Sequence, residues 1–264
     1  MQFSVMTYNL RYQTTYDKDN AWIYRKDQAA EIVRRYRPTV VGTQEGLIEM
    51  LADLEQRLPE YAWVGEGRKG GTESEHNAIF YRKDELELIE WGQFWLSLQP
   101  TGPYEKSWNA THFRICTWAR FKCKSEPNNE FLHYNTHLDN SSQEAREHGI
   151  RIIWKRLSEH MELTGLSAIL TGDMNAEPGN SVIEFLRGAP DEDGTQCKLK
   201  DAYSVLRTPP GLTIHEFNGG TAGQPIDFIF ASPDVRVSDV AIIRDMPDGK
   251  YPSDHYPVWA SLLL

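Results

Sequence analysis

Apolar residues along this chain alternate between two periods, one helical and one strand-like. Over 26–37, Ala29, Ile32, Val33 and Tyr36 recur at i, i+3, i+4 and i+7, the spacing of one buried helical face, and Pro38 stops the run. Over 47–58, Leu47, Met50, Leu51, Leu54 and Leu58 repeat the pattern before Pro59. A longer helix is predicted over 142–161, with Ile150, Ile153, Trp154, Leu157 and Met161 facing inward, and a short one over 181–186. Runs rich in β-branched and aromatic residues predict strands over 3–8, 39–43, 78–82, 86–96, 115–123, 131–135, 168–170, 226–231, 235–243 and 258–264. Stretches rich in Pro, Gly and Asp at 98–108, 188–195 and 208–224 read as loops. No repeat, low-complexity tract or long linker divides the chain. One domain spanning 1–264, built of packed sheets with outer helices, is therefore expected.

Polar residues stand at the ends of six of these strands. Asn9 follows the first, and Glu45 follows Thr43-Gln44. His137 and Asp139 follow the run ending in Asn135-Thr136. Asp173 and Asn175 follow Ala168-Ile169-Leu170, Asp227 opens Ile226-Asp227-Phe228, and Asp254-His255 precede Tyr256-Pro257-Val258. Strands that share sheets bring such ends to one rim, where loops carry function. The residue types suit one chemistry. Carboxylate and amide oxygens are ligands for hard cations such as Mg²⁺ or Mn²⁺. Imidazoles contact phosphoryl oxygens or are oriented by an aspartate. Singly, each has an ordinary structural explanation: Asp173 as a turn residue, Glu45 as a helix cap, His137 as a core histidine, Asp227 as a turn acceptor. Their joint occurrence at strand ends favours a metal-assisted phosphoryl site. The chain has no H-E-x-x-H, no G-x-S-x-G, no phosphate-binding P-loop and no G-x-G-x-x-G, so glycine-rich phosphate cradles and serine nucleophiles are poor readings.

Charge narrows the substrate. The net charge is −10, and the local basic clusters are Tyr24-Arg25-Lys26 and Arg34-Arg35-Tyr36-Arg37. A protein that grips long nucleic acid usually offers a basic track. Long nucleic acid is therefore disfavoured, and a small phosphorylated substrate held by a metal is favoured. Cys116, Cys123 and Cys197 form no C-x-x-C pair, which argues against a thiolate zinc site and for reduced, inert thiols. No apolar stretch approaches the roughly 20 residues of a membrane helix. The first residues, Met1-Gln2-Phe3-Ser4-Val5, carry no basic and apolar export pattern. A soluble, cytoplasmic protein without a membrane partner is expected.

Six short motifs, in order, carry a resemblance. Thr7-Tyr8-Asn9-Leu10-Arg11, Thr43-Gln44-Glu45, Asn135-Thr136-His137-Leu138-Asp139, Gly172-Asp173-Met174-Asn175, Ile226-Asp227-Phe228-Ile229 and Ser253-Asp254-His255 span nearly the whole chain. They resemble the T-x-N, Q-E, N-T-H-L, G-D-x-N, I-D-Y-I and S-D-H motifs of the endonuclease/exonuclease/phosphatase superfamily. The resemblance implies an α+β fold of DNase I-like type, a four-layer αββα sandwich with two mixed or antiparallel sheets flanked by helices. It implies Glu45 as the principal Mg²⁺ ligand, with Asn9 and Asp254 in the metal shell. Asp173 would orient or deprotonate the attacking water, and Asn175 would position the water and the phosphoryl group. His137 and His255 would contact phosphoryl oxygens, and Asp227 would orient His255. Arg114 stands where some members place a phosphate-binding arginine. The general base stays open between Asp173 and His255.

The Tyr251-Pro252-Ser253-Asp254-His255 ending is similar to nocturnin-type enzymes. Together with Trp22-Ile23-Tyr24-Arg25-Lys26 and Phe94-Trp95-Leu96-Ser97, it resembles a compact bacterial group that includes sugar-phosphate phosphatases. The implied function is a Mg²⁺-dependent phosphatase or phosphodiesterase for a small phosphorylated metabolite such as a sugar phosphate. The alternatives are a nuclease or deadenylase-like exonuclease, and a non-catalytic phosphate-binding module. Substrate choice is expected in loops. Trp108, in 98–109, is a candidate sugar-stacking residue or part of an ordinary surface loop. Ser74-Glu75-His76-Asn77 either reaches the substrate or forms a plain turn.

Overall fold

Two six-stranded sheets pack face to face in the computed structural model, which describes residues 1–102 and 104–264. In the first sheet, β1 (Gln2–Asn9) lies parallel to β2 (Val40–Gln44). The sheet continues through β4 (Ile79–Arg82) to β3 (Tyr61–Val64) at one edge. At the other edge β12 (Val258–Leu263) pairs with β1, and β11 (Arg236–Ile242) lies outermost. The second sheet runs β5 (Leu86–Trp95), β6 (Ile115–Cys123), β7 (Glu130–His137), β8 (Ser167–Asp173), β10 (Asp227–Ala231), β9 (Lys200–Asp201). Within it, β7 and β8 are the parallel pair.

Helices α1 (Lys26–Tyr36) and α2 (Ile48–Arg57) cover the first sheet. Helices α3 (Gln143–Thr164) and α4 (Ser181–Leu186) cover the second. The period-2 alternation of a strand divides β1 between two cores. Phe3 and Val5 enter the core shared by the two sheets, while Met6 and Tyr8 join the apolar faces of α1 and α2. The result is the four-layer αββα sandwich expected from the motifs. No helix among the described residues is long and apolar enough to cross a membrane. All three cysteines are free and buried.

The predicted helices and strands appear with shifted ends, and the differences have physical causes. β8 extends past residue 170 to Asp173 because Thr171 and Gly172 pair with Ile229 and Phe228 of β10. β3 and β9 were not anticipated. The first is four residues of two-sided burial, and the second is only two residues long. The 98–108 stretch has neither helix nor strand among its described residues; residue 103 lies outside them. Arg25, read as part of a basic cluster, is 1% exposed and contributes no surface charge.

A polar seam, unforeseen in the apolar pattern, joins the sheets near one rim. Gln44 Nε2 donates to Asn135 Oδ1 (2.8 Å), and Asn135 Nδ2 donates across to the carbonyl of Thr43 (2.8 Å). Thr171 Oγ1 donates to Asn135 Oδ1 (3.0 Å). All three side chains are fully buried, so these bonds satisfy groups that would otherwise be costly to bury. The sheets come so close that a Cβ at position 42 would overlap Thr171 and Asn135, which is why glycine stands there. Gly42→Ala is therefore expected to destabilise the protein by about 1–3 kcal/mol through overpacking. Thermal unfolding would show this as a drop of several degrees in Tm, and an unchanged Tm would overturn the close-approach argument.

Candidate active site

Each sheet has one central parallel pair, and the two pairs end at the same rim. Asn9 is opposite Gln44 at the ends of β1 and β2, and His137 is opposite Asp173 at the ends of β7 and β8. Asp227, the first residue of antiparallel β10, pairs with Asp173. Asp254 and His255 lie just before β12, which runs antiparallel to β1. The C-terminal ends of parallel strands and the starts of antiparallel ones thus meet. Three residues that leave the strands here, Arg11 (φ 54), Glu45 (φ 62) and Asn175 (φ 46), adopt left-handed backbone conformations. Such strain concentrates where surrounding bonds over-determine the geometry. For Glu45 those bonds are Asn9 Nδ2 to Oε1 (3.0 Å) and the Tyr12 backbone N–H to Oε2 (2.9 Å).

The rim encloses a cavity of about 460 Å³, walled by Glu45, His137, Asp173, Asn175, Asp254 and His255 on one side. Arg68, Glu75, His112, Arg114 and Asn140 form the other. Asn9 and Asp227 stand directly behind it. Trp108 does not reach it. Its ring is stacked on His148 of α3, with centroids 4.5 Å apart and 14° between planes, so it gives its face to the helix. A larger hollow of about 730 Å³, walled by Arg187, Tyr203 and the 206–211 segment, contains none of the motif residues.

Asp173 is the node of the cavity. Its Oδ2 accepts from Asn9 Nδ2 (3.0 Å) and lies 3.4 Å from His137 Nε2 and 3.9 Å from His255 Nε2. Its Oδ1 accepts from the Asn175 backbone N–H (2.9 Å). Burial, reinforced by the charge of Asp227, pushes its carboxyl up to about 7.

The two histidines beside it are held in opposite states. Burial disfavours a charge on His255, but Asp227, Asp173 and Asp254 outweigh it and hold the ring well above the ordinary range. Its Nδ1–H donates to Asp227 Oδ2 at 2.9 Å. Burial together with Arg114 and Arg68 pushes His137 well below the ordinary range. Arginine can only donate, so the Arg68 Nη2 contact (3.1 Å) makes Nδ1 of the neutral His137 an acceptor. Its proton then sits on Nε2, facing Asp173.

Hard-cation chemistry fits the donor set. The Asp254 carboxyl is raised by burial and by the neighbouring charge of Glu45. A cation between them relieves that repulsion. Asn9 is tied to both flanking carboxylates. Its Oδ1 accepts the Arg11 N–H (2.9 Å), and its Nδ2 braces Glu45 against Asp173. Among the described residues, the compact group of acidic and imidazole ligand atoms is Asp173, Asp227 and His255, within 4.8 Å of one another. Asp227 takes His255 Nδ1, which fixes the orientation of the ring and leaves Nε2 as its free nitrogen within that group.

Arg68, His112 and Asn140 of the wall escaped sequence reasoning, whereas Arg114 and the strand-end Asp139 did not. Arg68 lies in Gly65-Glu66-Gly67-Arg68-Lys69-Gly70-Gly71, where Gly65, Gly70 and Gly71 take positive φ. A charged residue in so permissive a loop was the available signal. Asp139 accepts from the Ser142 and Ser141 backbone N–H groups (2.9 and 3.0 Å) and holds Arg114 Nε at 3.4 Å. Arg114 Nη1 is buried without a partner.

Arg25 ties the two flanks of the site together without any carboxylate. Its guanidinium donates to the carbonyls of Leu10, Arg11, Asn20 and Pro252, bridging the exit of β1 to the segment before Asp254. Lysine retains the charge and loses the planar fork. Arg25→Lys is expected to destabilise the protein by about 2–3 kcal/mol as buried carbonyls lose their donors. Denaturant unfolding measures this, and an unchanged midpoint would remove Arg25 from the architecture of the site.

Comparison with known proteins agrees with this geometry. The chain matches the Endonuclease/Exonuclease/phosphatase family over residues 6–255. A family protein of Bacteroides thetaiotaomicron superposes with a TM-score of 0.89 at 32% identity, covering 99% of this chain and 98% of that one. A mannosyl-6-phosphatase of the same organism gives 0.90 at 31% identity, with 99% and 100% coverage. The human Nocturnin catalytic domain, at 17% identity and a TM-score of 0.74 over 99% of this chain and 94% of that one, shares the fold. Protein angel of Drosophila melanogaster is 28% identical over 199 residues, 72% of this chain and 54% of that protein. The chain thus spans about half the length of the curated relative it matches. With a family match across 6–255 and relatives above 30% identity aligned end to end, the chain belongs to the Endonuclease/Exonuclease/phosphatase family, whose members hydrolyse phosphoesters.

Proposed function

We propose that this protein is a divalent-metal-dependent phosphatase or phosphodiesterase acting on a small phosphorylated metabolite, with a sugar phosphate as the leading substrate. One observation carries the reading. A carboxyl raised to about 7, Asp173, sits between a neutral and a protonated imidazole, beside the facing carboxylates of Glu45 and Asp254. Phosphoryl transfer needs such positioned charge more than it needs covalent chemistry. The cavity of about 460 Å³ suits a single small ligand. The net charge of −10 supports the same choice over long nucleic acid. The likeness to a mannosyl-6-phosphatase over the whole chain points to the same substrate class.

Glu45 and Asp254 would hold Mg²⁺ or Mn²⁺, which when bound neutralises charge on the phosphoryl and leaving oxygens. The remaining work falls to the chain's own groups. The His255 imidazolium, oriented by Asp227, and the Nε2–H of His137 donate to phosphoryl oxygens. Arg114 adds a further cationic donor. Asp173 orients the attacking water and takes its proton; Asn175, held by its donation to the Leu138 carbonyl (3.0 Å), fixes the far side of the site. Asp173 is favoured over His255 as the general base because His255 already carries its proton at neutral pH.

Glu45→Ala and Asp173→Asn are each expected to lower kcat/KM by about 10³-fold or more while leaving cooperative unfolding intact. Near-wild-type turnover in both would sink the site assignment. The panel should hold sugar monophosphates, nucleotides, a phosphodiester, and single-stranded RNA and DNA, each with Mg²⁺. Shortening of oligonucleotides as efficient as turnover of the small substrates would overturn the small-metabolite reading.

The pH dependence has a definite sign. The ionised form of Asp173 is the active one, so kcat/KM should fall as pH drops through its value of about 7. A bound cation favours the ionised form, so higher Mg²⁺ concentration should move this acid limb to lower pH. An acid limb that persists unchanged in Asp173→Asn, measured on its residual rate, would assign the titration elsewhere.

A further inference from the structure

The wall of the cavity opposite the carboxylates is shared with a second hollow of about 190 Å³. Arg68, Glu75 and His112 line both. The side hollow is completed by Lys69, Ser74, Lys106 and Thr111, with Phe113 as its apolar member. It therefore offers several donors and acceptors and one aromatic side chain, whose ring packs at 75° to Tyr104 with centroids 5.0 Å apart. This is the composition that a polyhydroxylated ligand requires, since each hydroxyl both donates and accepts and the ring C–H face packs on an aromatic.

The two hollows are connected through one nitrogen. Arg68 Nη2 contacts Glu75 Oε2 at 2.9 Å and His137 Nδ1 at 3.1 Å. The Glu75 carboxylate thus stands one guanidinium nitrogen away from an imidazole that faces Asp173. A small alcohol whose phosphoryl group lies against His137 would carry its hydroxyls past Arg68 into reach of Glu75. The wall is preorganised for this. The Arg68 backbone N–H donates to the Glu75 carbonyl (2.9 Å), and Trp95 Nε1 donates to the Arg68 carbonyl (2.8 Å). Arg68 is 3% exposed, and its Nε is buried without a partner. The Glu75 side chain keeps 19% of its surface open and lines both hollows.

We propose that the side hollow is the leaving-group subsite for a sugar or other polyol, and that Glu75, with His112 beside it, is the residue that selects it by accepting hydrogen bonds from its hydroxyls. The inference rests on the hydrolase reading above and adds the part of the substrate that reading leaves open. Glu75 acts here as a specificity residue. Arg68 is the positioning residue that holds its carboxylate at a fixed distance from the phosphoryl site. The neighbouring Lys69 and Lys106 add donors at the mouth of the subsite.

The test compares two phosphomonoesters on the full-length protein with Mg²⁺: a hexose 6-phosphate and phenyl phosphate, which has no hydroxyls on its leaving group. The readout is the ratio of their kcat/KM values in wild type, Glu75→Ala, Glu75→Gln and His112→Ala. Wild type should favour the hexose phosphate. Glu75→Ala and His112→Ala should each reduce the ratio by about tenfold or more, the size expected when a hydrogen bond to a substrate hydroxyl is lost. Glu75→Gln keeps an acceptor oxygen and should restore part of the preference. Because Glu75 pairs with Arg68, both substrates can slow together in Glu75→Ala. The ratio isolates the hydroxyl-dependent part, and His112→Ala probes the subsite without touching that pair. Turnover of both substrates with a ratio within about twofold of wild type in both alanine variants would overturn the subsite while leaving the hydrolase reading intact. Absence of turnover on every phosphoester would overturn the hydrolase reading, and this inference with it.

Discussion

Asn135 is the point at which the two sheets are locked to each other. It accepts from Gln44 of one sheet and Thr171 of its own, and donates back to the Thr43 carbonyl. An apolar contact would leave the sheets free to slide by small amounts, since hydrophobic burial has little directionality. A buried amide with donors and acceptors on both sheets permits one register, because any slip leaves its polar atoms unpaired at the cost of a desolvated group. That register sets the ends of β1 and β2 level with the ends of β7 and β8. The carboxylates of Glu45 and Asp173 can then share one bridging amide, that of Asn9. Gly42 serves the same constraint by keeping the gap between the sheets narrow.

Above that seam, function follows from how charges are distributed in a buried rim. Two histidines sit on either side of one aspartate, and their surroundings push them apart. Acidic neighbours keep His255 protonated against the effect of burial, and burial together with arginine neighbours keeps His137 neutral. Both present a donor toward Asp173, so an anion entering between them meets hydrogen bonds from two sides. In the proposed mechanism this arrangement separates the proton-accepting group from the proton-donating ones, the division of labour that general acid–base chemistry at neutral pH requires. The arginines that suppress His137 belong to the wall that also carries Glu75. The state of the reacting site and the shape of the substrate wall therefore depend on the same side chains.

The relatives place this arrangement in context. The same sandwich recurs at 31–33% identity over whole chains and at 17% in the Nocturnin catalytic domain. A fold that persists across such distances shares its rim of strand ends more readily than its loops. The 65–77 segment, with its positive-φ glycines, and the segment carrying Lys106, Thr111 and His112 lie outside the strands that build the rim.

Much of this protein was legible in its sequence, for a physical reason. Local periodicity reports which face of a helix or strand is buried. The four helices and most strands follow from it, as do the polar positions at strand ends: Asn9, Glu45, His137, Asp173, Asp227, Asp254 and His255. Their order in short motifs sufficed to identify the sandwich. What the sequence left undecided depends on contacts between residues far apart in the chain. Asn135 and Thr171 have no assignable partners in the sequence until the second sheet lies against them. Arg25 reads as surface charge until Leu10, Arg11, Asn20 and Pro252 turn their carbonyls toward it. Trp108 reads equally as a sugar-stacking residue or part of a surface loop until its ring is seen stacked on His148. Arg68 and Glu75 acquire meaning only when their loop is laid beside His137. Protonation states belong wholly to this second class. A carboxyl near 7, one protonated histidine and one neutral histidine follow from burial and neighbouring charges, which no local pattern along the chain encodes.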